Sequence, residues 1–285
     1  MGWIYLGLVI IGFVAMNFIM KLGSLKGHDS PALTGSLFAA ASLFCLAALI
    51  LTGQPLNVSA PLVLLAIGGG VGGGIAYFFF LSALKIGPYA LSISIYTMAF
   101  LIPVAFSIIV WNRPLTLSVG AGIALIAVGI ILISASGASG QGQAKGVWLK
   151  WLILLGAAFI LTAIPQIAQA AAARIGAINL WFFLFLTFLS GGVAFGIFFL
   201  VKKVKPAKGA VLFGTLAAAG SIAGNFFTLK ALAKLPEPVV FPVSLSGPII
   251  GAVLLSVLFF KEKTRPLGYL GILIGLAGIV ILALA

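Results

Sequence analysis

Charged residues are scarce in this sequence. Asp, Glu, Lys and Arg make up 7% of the 285 residues, whereas hydrophobic residues make up 63% and the mean hydropathy is +1.32. A soluble domain carries about 25% charged residues, because its surface must face water. The composition therefore excludes large soluble domains and predicts an integral membrane protein whose outer surface contacts lipid hydrocarbon.

Acidic residues are the rarest charged group, and Asp29, Glu237 and Glu262 are the whole set. All three lie in connections between the long apolar runs, so the predicted membrane spans contain no carboxylate. Aspartyl proteolysis within the membrane is therefore disfavoured, and a Ser/His hydrolase would need a buried histidine. His28, the only histidine, lies in a loop and is expected to be solvated. The sequence predicts that the protein is not an enzyme.

Cysteine is almost absent as well. Cys45 is the only one and lies within an apolar run, which excludes an intrachain disulfide and disfavours a cysteine-rich metal site. The glycine-rich stretch 68–74, GGGVGGG, does not follow a strand, so it does not resemble a nucleotide-binding loop. Its four-residue glycine spacing favours close packing of helix backbones instead. We expect neither a cofactor nor a metal ion.

Basic residues give the chain a net charge of +13. In a soluble protein this excess would suggest nucleic acid as a partner. Here the lysines and arginines cluster at the ends of apolar runs, where they mark sidedness and contact anionic lipid headgroups. The expected partners are therefore a small-molecule substrate and membrane lipid, without nucleic acid, and the protein is expected to be a monomer or a homodimer.

Ten apolar runs follow one another along the chain, each of a length that crosses a hydrocarbon core of about 30 Å as a helix. Connections rich in Gly and Pro, such as 27–31 and 112–114, separate them. Lipid offers the backbone no hydrogen-bond partner, so the runs are expected to be helical. The runs cover residues 3–21, 32–51, 61–84, 89–110, 117–135, 148–170, 179–200, 209–231, 239–260 and 267–285.

The two halves of the chain repeat each other. Residues 68–135 match 216–284 with one inserted residue, and at an offset of 148 residues Gly72 aligns with Gly220. Two halves of five spans each insert in opposite senses, because five is odd, and this inverted repeat is common among secondary transporters. Chance similarity between helices rich in Leu and Gly is the alternative. The predicted domains are 1–135 (first half), 136–147 (linker) and 148–285 (second half).

Four segments carry a resemblance to a known family. They are FFFLSALKIGPYAL (78–91), VWNRPLTLSVGAGIALIAVGIIL (110–132), NFFTLKALAKLPEPVVFPV (225–243) and FFKEKTRPLGYLGILIGLAGIVIL (259–282). They resemble the ten-span EamA-domain branch of the drug/metabolite transporter superfamily. The resemblance implies an all-α integral membrane fold of ten transmembrane helices, arranged as two inverted five-helix repeats. One departure is a turn that often carries glutamate in the family, because this chain has Glu262 there in the second half but Arg113 in the first.

The resemblance also implies that runs 1, 3, 4, 6, 8 and 9 line a central cavity. Polar residues within these apolar runs are the candidates for substrate binding, because a buried polar group needs a protein partner, water or a substrate. The alternatives are hydrogen bonds between helices and, for Ser and Thr, bonds to a carbonyl of their own helix. The candidates are Asn17, Tyr77, Tyr96, Thr97, Thr162, Gln166, Asn225, Lys230, Ser244 and Ser246.

Two roles fit Lys230, which lies late in the eighth run. It either extends its ammonium group to the membrane boundary or places a cation at the cavity mouth, where it would attract anionic substrates. Trp181 begins its run and is expected to be an interfacial anchor. Prolines within runs are expected to kink or unwind them. These prolines are Pro103, Pro165, Pro242 and Pro248.

Transport of a small organic metabolite is the predicted function, in the cell inner (plasma) membrane. Small relatives in the superfamily that exchange protons for cations rely on a carboxylate within the membrane, which these spans lack. A neutral or zwitterionic solute such as an amino acid is therefore expected. The alternatives are a carrier of sugar-phosphate, nucleotide-sugar or lipid-linked sugar, which would depend on Lys230, and a non-transporting membrane scaffold.

Sidedness follows from the distribution of basic residues. The ten runs are joined by nine connections, which we number from 1 to 9 along the chain. Twelve of the 16 lysines and arginines lie in or beside the odd-numbered connections. The other four lie on the opposite side, and they are Arg113, Arg174, Lys230 and Lys234. The positive-inside rule then places both termini outside the cytoplasm. Ten-span relatives are usually drawn with both termini inside it, so the sequence predicts only that the two termini share one side.

Overall fold

A computed structural model describes residues 1–56, 58–87, 89–137, 145–203, 205–259 and 265–284 of the chain. The turn glutamate Glu262 and most of the predicted linker 136–147 lie outside these residues. The described part is almost entirely helical and contains no strand. This agrees with the all-α prediction, because a backbone in lipid must pair its polar groups internally.

Eleven α-helices and one short 3₁₀ turn follow one another in the described ranges. Each of the ten apolar runs corresponds to one helix or, in the fourth run, to several consecutive helical segments. The elements are α1 (Gly2–Leu25), α2 (Ser30–Thr52), α3 (Ala60–Leu84), α4 (Tyr89–Thr97), the 3₁₀ turn (Met98–Phe100), α5 (Leu101–Trp111), α6 (Leu117–Gly137), α7 (Lys145–Ile175), α8 (Leu180–Lys202), α9 (Lys208–Leu232), α10 (Glu237–Phe259) and α11 (Pro266–Leu284).

The fourth run is divided into α4, the 3₁₀ turn and α5, and proline chemistry explains the division. Pro103 lies near the start of α5 and has no N–H to donate to the carbonyl of Ala99, four residues earlier in the 3₁₀ turn. By contrast, α7 and α10 remain helical through their three internal prolines. The expected unwinding is therefore found at Pro103 and not at the other three prolines.

A glycine and an asparagine define the connections around α2 and α8. Gly53 adopts a left-handed conformation with φ of 56° and ends α2. Asn179 caps α8, because its side chain accepts a hydrogen bond from the N–H of Phe182 at 3.1 Å. The same side chain donates to the carbonyls of Gln54 and Pro55 at 3.3 Å each. The buried Asn179 therefore ties the connection after α2 to the start of α8.

Eight of the described helices are long and apolar enough to cross a membrane, and a shorter apolar helix covers Ile95–Trp111. The eight helices are α1, α2, α3, α6, α7, α8, α9 and α11. A multi-pass membrane architecture is thereby confirmed, while the count of ten spans stays a prediction.

The chain forms two compact units, and each unit takes helices from both sequence halves. The first unit contains Met1–Ile75 and Ile164–Lys234, and the second contains Ala76–Ala163 and Leu235–Ala285. Helices α1, α2, α8 and α9 belong to the first unit, and α4, α5, α6, α10 and α11 belong to the second. Helices α3 and α7 contribute residues to both, so the units do not follow the boundary between the repeats.

Glycines set the packing of α1 on α9 in the first unit. A Cβ atom added to Gly12 would lie 2.8 Å from the backbone nitrogen of Gly224 and 2.9 Å from the carbonyl oxygen of Gly220. These distances are shorter than any van der Waals contact, so a side chain at Gly12 would force the two helices apart. The absence of a side chain therefore lets the two backbones touch.

The glycine-rich stretch 68–74 of α3 packs on neighbouring helices at some of its positions. Gly70 contacts Thr187 and Ser190 of α8, and an added Cβ at Gly74 would lie 3.2 Å from a carbonyl oxygen of the same helix. An added Cβ at Gly68, in contrast, would meet open space. Close packing is therefore confirmed for Gly70 and Gly74 but not for Gly68.

Helices α6 and α11 approach equally closely in the second unit. A Cβ at Gly129 would lie 2.7 Å from the carbonyl oxygen of Gly271, and one at Gly278 would lie 2.8 Å from the carbonyl oxygen of Gly122. Gly122 and Gly129, like Gly271 and Gly278, are seven residues or about two helical turns apart, which predicts a packing stripe on one face of each helix. The structure confirms that role. It adds that the two stripes pack against each other.

Candidate solute-binding residues

Three side-chain amides lie on α7 and α9 in the first unit. The Nε2 of Gln169 donates to the Oδ1 of Asn225 at 2.6 Å, and the Nδ2 of Asn225 donates to the carbonyl of Ser221 at 2.8 Å. Gln166 precedes Gln169 by three positions on α7, a spacing that brings two side chains to the same side of a helix. We call Gln166, Gln169 and Asn225 the amide group.

Gln166 differs from the other two members because its amide is unpaired. The residue is 7% exposed, and neither its Oε1 nor its Nε2 has a hydrogen-bond partner among the described residues. Leaving a buried donor or acceptor unpaired costs about 1–3 kcal/mol. Buried polar groups in native proteins are nearly always paired, so Gln166 is a position where a partner from outside the chain is expected.

Asn17, another predicted binding residue, lies on α1 and is half-buried. It belongs to the first unit, as the amide group does. Within the described ranges, no hydrogen bond joins Asn17 to Gln166, Gln169 or Asn225. Its role in binding therefore stays a prediction.

Lys230 lines a pocket of about 250 Å³ in the first unit. Its Nζ lies 5.6 Å from the centroid of the Phe226 ring, and Phe226 stacks on Trp181 with ring centroids 4.7 Å apart. The connection at Gln54, the end of α7 and the start of α8 complete the wall. Lys230 is half-buried near the end of α9, a position that suits both roles predicted for it.

Tyr77, Tyr96 and Thr162 come together in the second unit. The rings of Phe80 and Tyr96 are stacked with centroids 4.0 Å apart, and Tyr77 lies edge-on to Tyr96 at 6.5 Å. The Tyr96 hydroxyl is hydrogen-bonded to the Thr162 side chain, and the Thr162 Oγ1 donates to the carbonyl of Ala158 at 2.7 Å. We call Tyr77, Phe80, Tyr96 and Thr162 the aromatic group.

Thr97, Ser244 and Ser246 are buried in the second unit. Each hydroxyl donates to a carbonyl three or four residues earlier in the chain, at 2.7 Å for Thr97 and 3.3 Å for Ser244. This is the role that the sequence offers as the alternative to substrate contact for Ser and Thr. Binding by these three hydroxyls stays a prediction.

An ion pair that the sequence does not reveal joins Arg113 to Glu237 in the second unit. The Nε of Arg113 lies 2.7 Å from the Oε2 of Glu237, and its Nη2 donates to the Oε1 at 3.5 Å. The sequence places Glu237 in a connection, but it is the first residue of α10 and is 2% exposed. That prediction is wrong because proline is tolerated in the first turn of a helix, so Pro238 does not mark a loop.

Comparison with known proteins identifies the family. The EamA-like transporter family matches residues 1–135 and 146–284, so the same domain occurs twice in the chain. No match was found among curated proteins. Among 29 similar chains of solved structures, one described as "Crystal structure of protein" shares 20% sequence identity with a TM-score of 0.78. That alignment covers 98% of this chain and 96% of the other, and it shows a common fold.

The duplicated helical domain and the eight apolar helices define a multi-pass membrane protein of the transporter class. The chain belongs to the EamA-like transporter family, as the sequence resemblance predicts. This membership makes it a membrane transporter of small solutes within the drug/metabolite transporter superfamily.

Proposed function

We propose that this protein is a secondary transporter for a small organic solute with a neutral or zwitterionic polar group, such as an amino acid. It works by alternating access, as the inverted repeat of its sequence favours. The observation that carries the proposal is the buried amide of Gln166 on α7, which is unpaired among the described residues. Gln169, three positions further along α7, is paired with Asn225 of α9.

The chemistry of an amide suits such a solute. Gln166 offers a donor and an acceptor without a net charge, so it can bond to a carboxylate, a hydroxyl or an ammonium group. A solute that bonds to both the N–H donor and the carbonyl acceptor of Gln166 removes the free-energy cost of the unpaired amide. The free energy recovered in this way adds to the affinity of the solute. The Gln169–Asn225 pair holds neighbouring amides in a fixed orientation, which limits the side-chain entropy lost on binding.

The charges of the described residues support a solute that is not strongly cationic. Of the two carboxylates in the described ranges, Asp29 is exposed just before α2 and Glu237 is paired with Arg113. Neither is a bare carboxylate within a membrane span, which is the feature that cation carriers use. The amide of Gln166 can bind such a solute without needing a charge of opposite sign.

The aromatic group of the second unit is a second set of candidate residues for solute contact. Tyr77 and Tyr96 are half-buried, and their rings present apolar faces together with a hydroxyl edge. Aromatic rings of this kind favour a solute with an apolar part. This group therefore suits a solute with an apolar part, such as an amino acid with an apolar side chain.

Contacts between connections support the ten-span, inverted arrangement. With ten spans, connections whose numbers are both odd or both even lie on the same side of the membrane. In the first unit, Asn179 of the sixth connection bonds to Gln54 of the second, and His28 of the first connection packs against Phe213 near the seventh. The ion pair of the second unit likewise links Arg113 of the fourth connection to Glu237 at the start of α10, where the eighth connection ends. Each contact joins connections of matching parity.

Location and sidedness follow from the same proposal. We place the protein in the cell inner (plasma) membrane with both termini on one side. The basic residues favour the outer side for the termini, because 12 of the 16 lie in the odd-numbered connections. Accessibility of a cysteine introduced at either terminus to a membrane-impermeant thiol reagent would decide the side, once Cys45 is replaced.

A thermal-shift screen of the purified protein tests the proposed solute class. Amino acids, sugars, nucleosides and amines are compared, and a neutral or zwitterionic compound is expected to raise the melting temperature. Gln166→Met is expected to abolish that shift, whereas Thr34→Val is expected to keep it. Thr34 is a matched control because its hydroxyl is also buried and unpaired among the described residues, in the same unit. A shift that survives Gln166→Met, or one produced only by amines, would contradict the proposal.

A further inference from the structure

Two cavities of the first unit share a wall. The Lys230 pocket has a volume of about 250 Å³, and an open groove of about 480 Å³ lies beside it along α2, α8 and α9. Trp181 and Phe226 line both cavities. A pocket with a cation therefore lies next to an apolar groove, and the two share a stacked pair of aromatic rings.

The groove is apolar along its whole length. Phe44 and Ala48 of α2 form one wall, and five apolar residues of α9 form another, namely Ala219, Ile222, Ala223, Phe226 and Phe227. Ala219 precedes Phe227 by eight residues, which corresponds to about 12 Å along a helix. An acyl chain spans half of a hydrocarbon core that is about 30 Å thick, so the groove is long enough to hold most of one lipid chain.

The pocket at the end of the groove attracts negative charge. Lys230 provides a full positive charge, and Trp181 lies in the first turn of α8, whose N-terminal end carries a partial positive charge. The carboxylates of the described ranges do not neutralise Lys230, because Glu237 is paired with Arg113 and Asp29 lies at the opposite end of α2 from Gln54. Lys and Trp near helix ends are also typical of the headgroup level of a membrane.

We infer that the Lys230 pocket and the adjoining groove form a binding site for an anionic phospholipid. The phosphate lies at Lys230 beside the start of α8, and one acyl chain follows α9 from Phe226 to Ala219. This site is separate from the amide group and does not rest on the transport proposal.

The combination of charge and groove selects this ligand over two others. A soluble anion would be attracted by Lys230 but would leave the exposed Phe44 and Ala219 uncovered. A zwitterionic phospholipid would cover the groove but would bring no net negative charge to the lysine. Only an anionic lipid uses both features of the site.

Native mass spectrometry of the full-length protein in detergent micelles tests the headgroup. Phosphatidylglycerol and phosphatidylcholine with identical acyl chains are offered in equal amounts, and the anionic lipid is expected to bind preferentially. Lys230→Gln is expected to reduce that preference about fivefold, which corresponds to about 1 kcal/mol for one lysine at an anionic surface. Lys234→Gln is the matched control, because Lys234 lies four residues further on, is exposed and does not line the pocket.

A second pair of variants tests the groove. Ala219→Phe places a ring in the groove and is expected to weaken the binding of both phospholipids at least threefold. Leu216→Phe adds a ring at an exposed position of α9 outside the groove and is expected to leave binding unchanged. Lys230→Arg keeps the charge and is expected to keep the preference for the anionic lipid, which separates loss of charge from loss of folding.

Four results would overturn the assignment. Equal binding of the two phospholipids to the wild type would remove the case for an anionic headgroup. Equal effects of Lys230→Gln and Lys234→Gln would show that the lysines attract anionic lipid only through non-specific electrostatics. If glycerol 3-phosphate displaced phosphatidylglycerol, or if Ala219→Phe had no effect, the pocket would be a site for soluble anions.

Discussion

Arg113 and Glu237 lie 124 residues apart in the chain and form a two-point ion pair in the second unit, with the Nε of Arg113 2.7 Å from the Oε2 of Glu237. The Glu237 side chain is 3% exposed and the Arg113 side chain 37%. A carboxylate in the first turn of α10 also interacts favourably with the positive end of that helix. The pair therefore joins the connection before α6 to the start of α10.

Removing Arg113 is expected to destabilise the protein, because the buried Glu237 carboxylate would lose the positive charge of the Arg113 guanidinium. Arg113→Gln is expected to lower the free energy of unfolding by about 3 kcal/mol, at the low end for a buried pair because Arg113 is partly exposed. The double variant Arg113→Gln/Glu237→Gln is expected to recover part of this loss, because it leaves no buried charge. Equilibrium unfolding in detergent micelles measures both.

Arg265→Gln is the control for this prediction, since Arg265 is an exposed arginine of the same unit. It is expected to change the free energy of unfolding by less than about 0.5 kcal/mol. If Arg113→Gln were no more harmful than Arg265→Gln, the ion pair would contribute nothing to stability.

The packing of α6 on α11 gives a second prediction. Gly129→Ala is expected to cost about 1–3 kcal/mol, because the new methyl group would lie 2.7 Å from the carbonyl oxygen of Gly271. Gly120→Ala on the same helix meets nothing within 4 Å and is expected to be neutral or slightly stabilising. Melting temperatures of the two variants, measured side by side, distinguish a clash at the α6–α11 contact from a general sensitivity of α6 to substitution. Equal melting temperatures would argue against the packing.

A double-mutant cycle tests the Gln169–Asn225 hydrogen bond. Gln169→Leu and Asn225→Leu are expected to couple by about 1 kcal/mol, a typical magnitude for a hydrogen bond between membrane helices. Gln169→Leu with Thr228→Val is the control cycle, because the Thr228 hydroxyl donates to the Gly224 carbonyl of its own helix. Unfolding free energies of the single and double variants give the coupling. The same value in both cycles would mean that the 2.6 Å contact is not a specific bond.

Gln166 gives a prediction in which stability and binding change in opposite directions. Gln166→Met removes an unpaired buried amide, so the free protein is expected to gain up to about 1–3 kcal/mol of stability. The affinity for the solute is expected to fall at least tenfold, because the same amide supplies its hydrogen bonds. Thermal unfolding and solute titration of one preparation measure both quantities. A loss of stability in the free protein would indicate that the amide has a partner within the chain.

The helices were predictable because apolar runs of span length leave the backbone no alternative to helical pairing. The glycine stripes Gly122–Gly129 and Gly271–Gly278 were predictable as packing faces from their spacing alone. That the two stripes pack on each other was not, because pairing between helices depends on contacts far apart in sequence. The break between α4 and α5 was expected from Pro103, whereas α7 and α10 are not unwound at their prolines.

The candidate site, like the fold, could be predicted only in part from the sequence. Polar residues within apolar runs marked Gln166 and Asn225, because an amide in such a run is costly without a partner. The sequence does not reveal that Asn225 is paired and Gln166 is not, since this depends on which helix lies opposite each of them. Glu237 was missed for the same reason: its partner Arg113 is distant in sequence, and neighbouring prolines resemble those of a loop.

Solute counterflow in proteoliposomes tests the transport claim most directly. Vesicles containing the purified protein are preloaded with the solute found in the thermal-shift screen, and entry of labelled solute is followed. Saturable exchange that unlabelled solute inhibits is expected for the wild type and for Thr34→Val, with at least a tenfold reduction for Gln166→Met. No saturable exchange by the wild type would contradict transport and favour a scaffold. Full exchange by Gln166→Met would show that the solute does not use this amide.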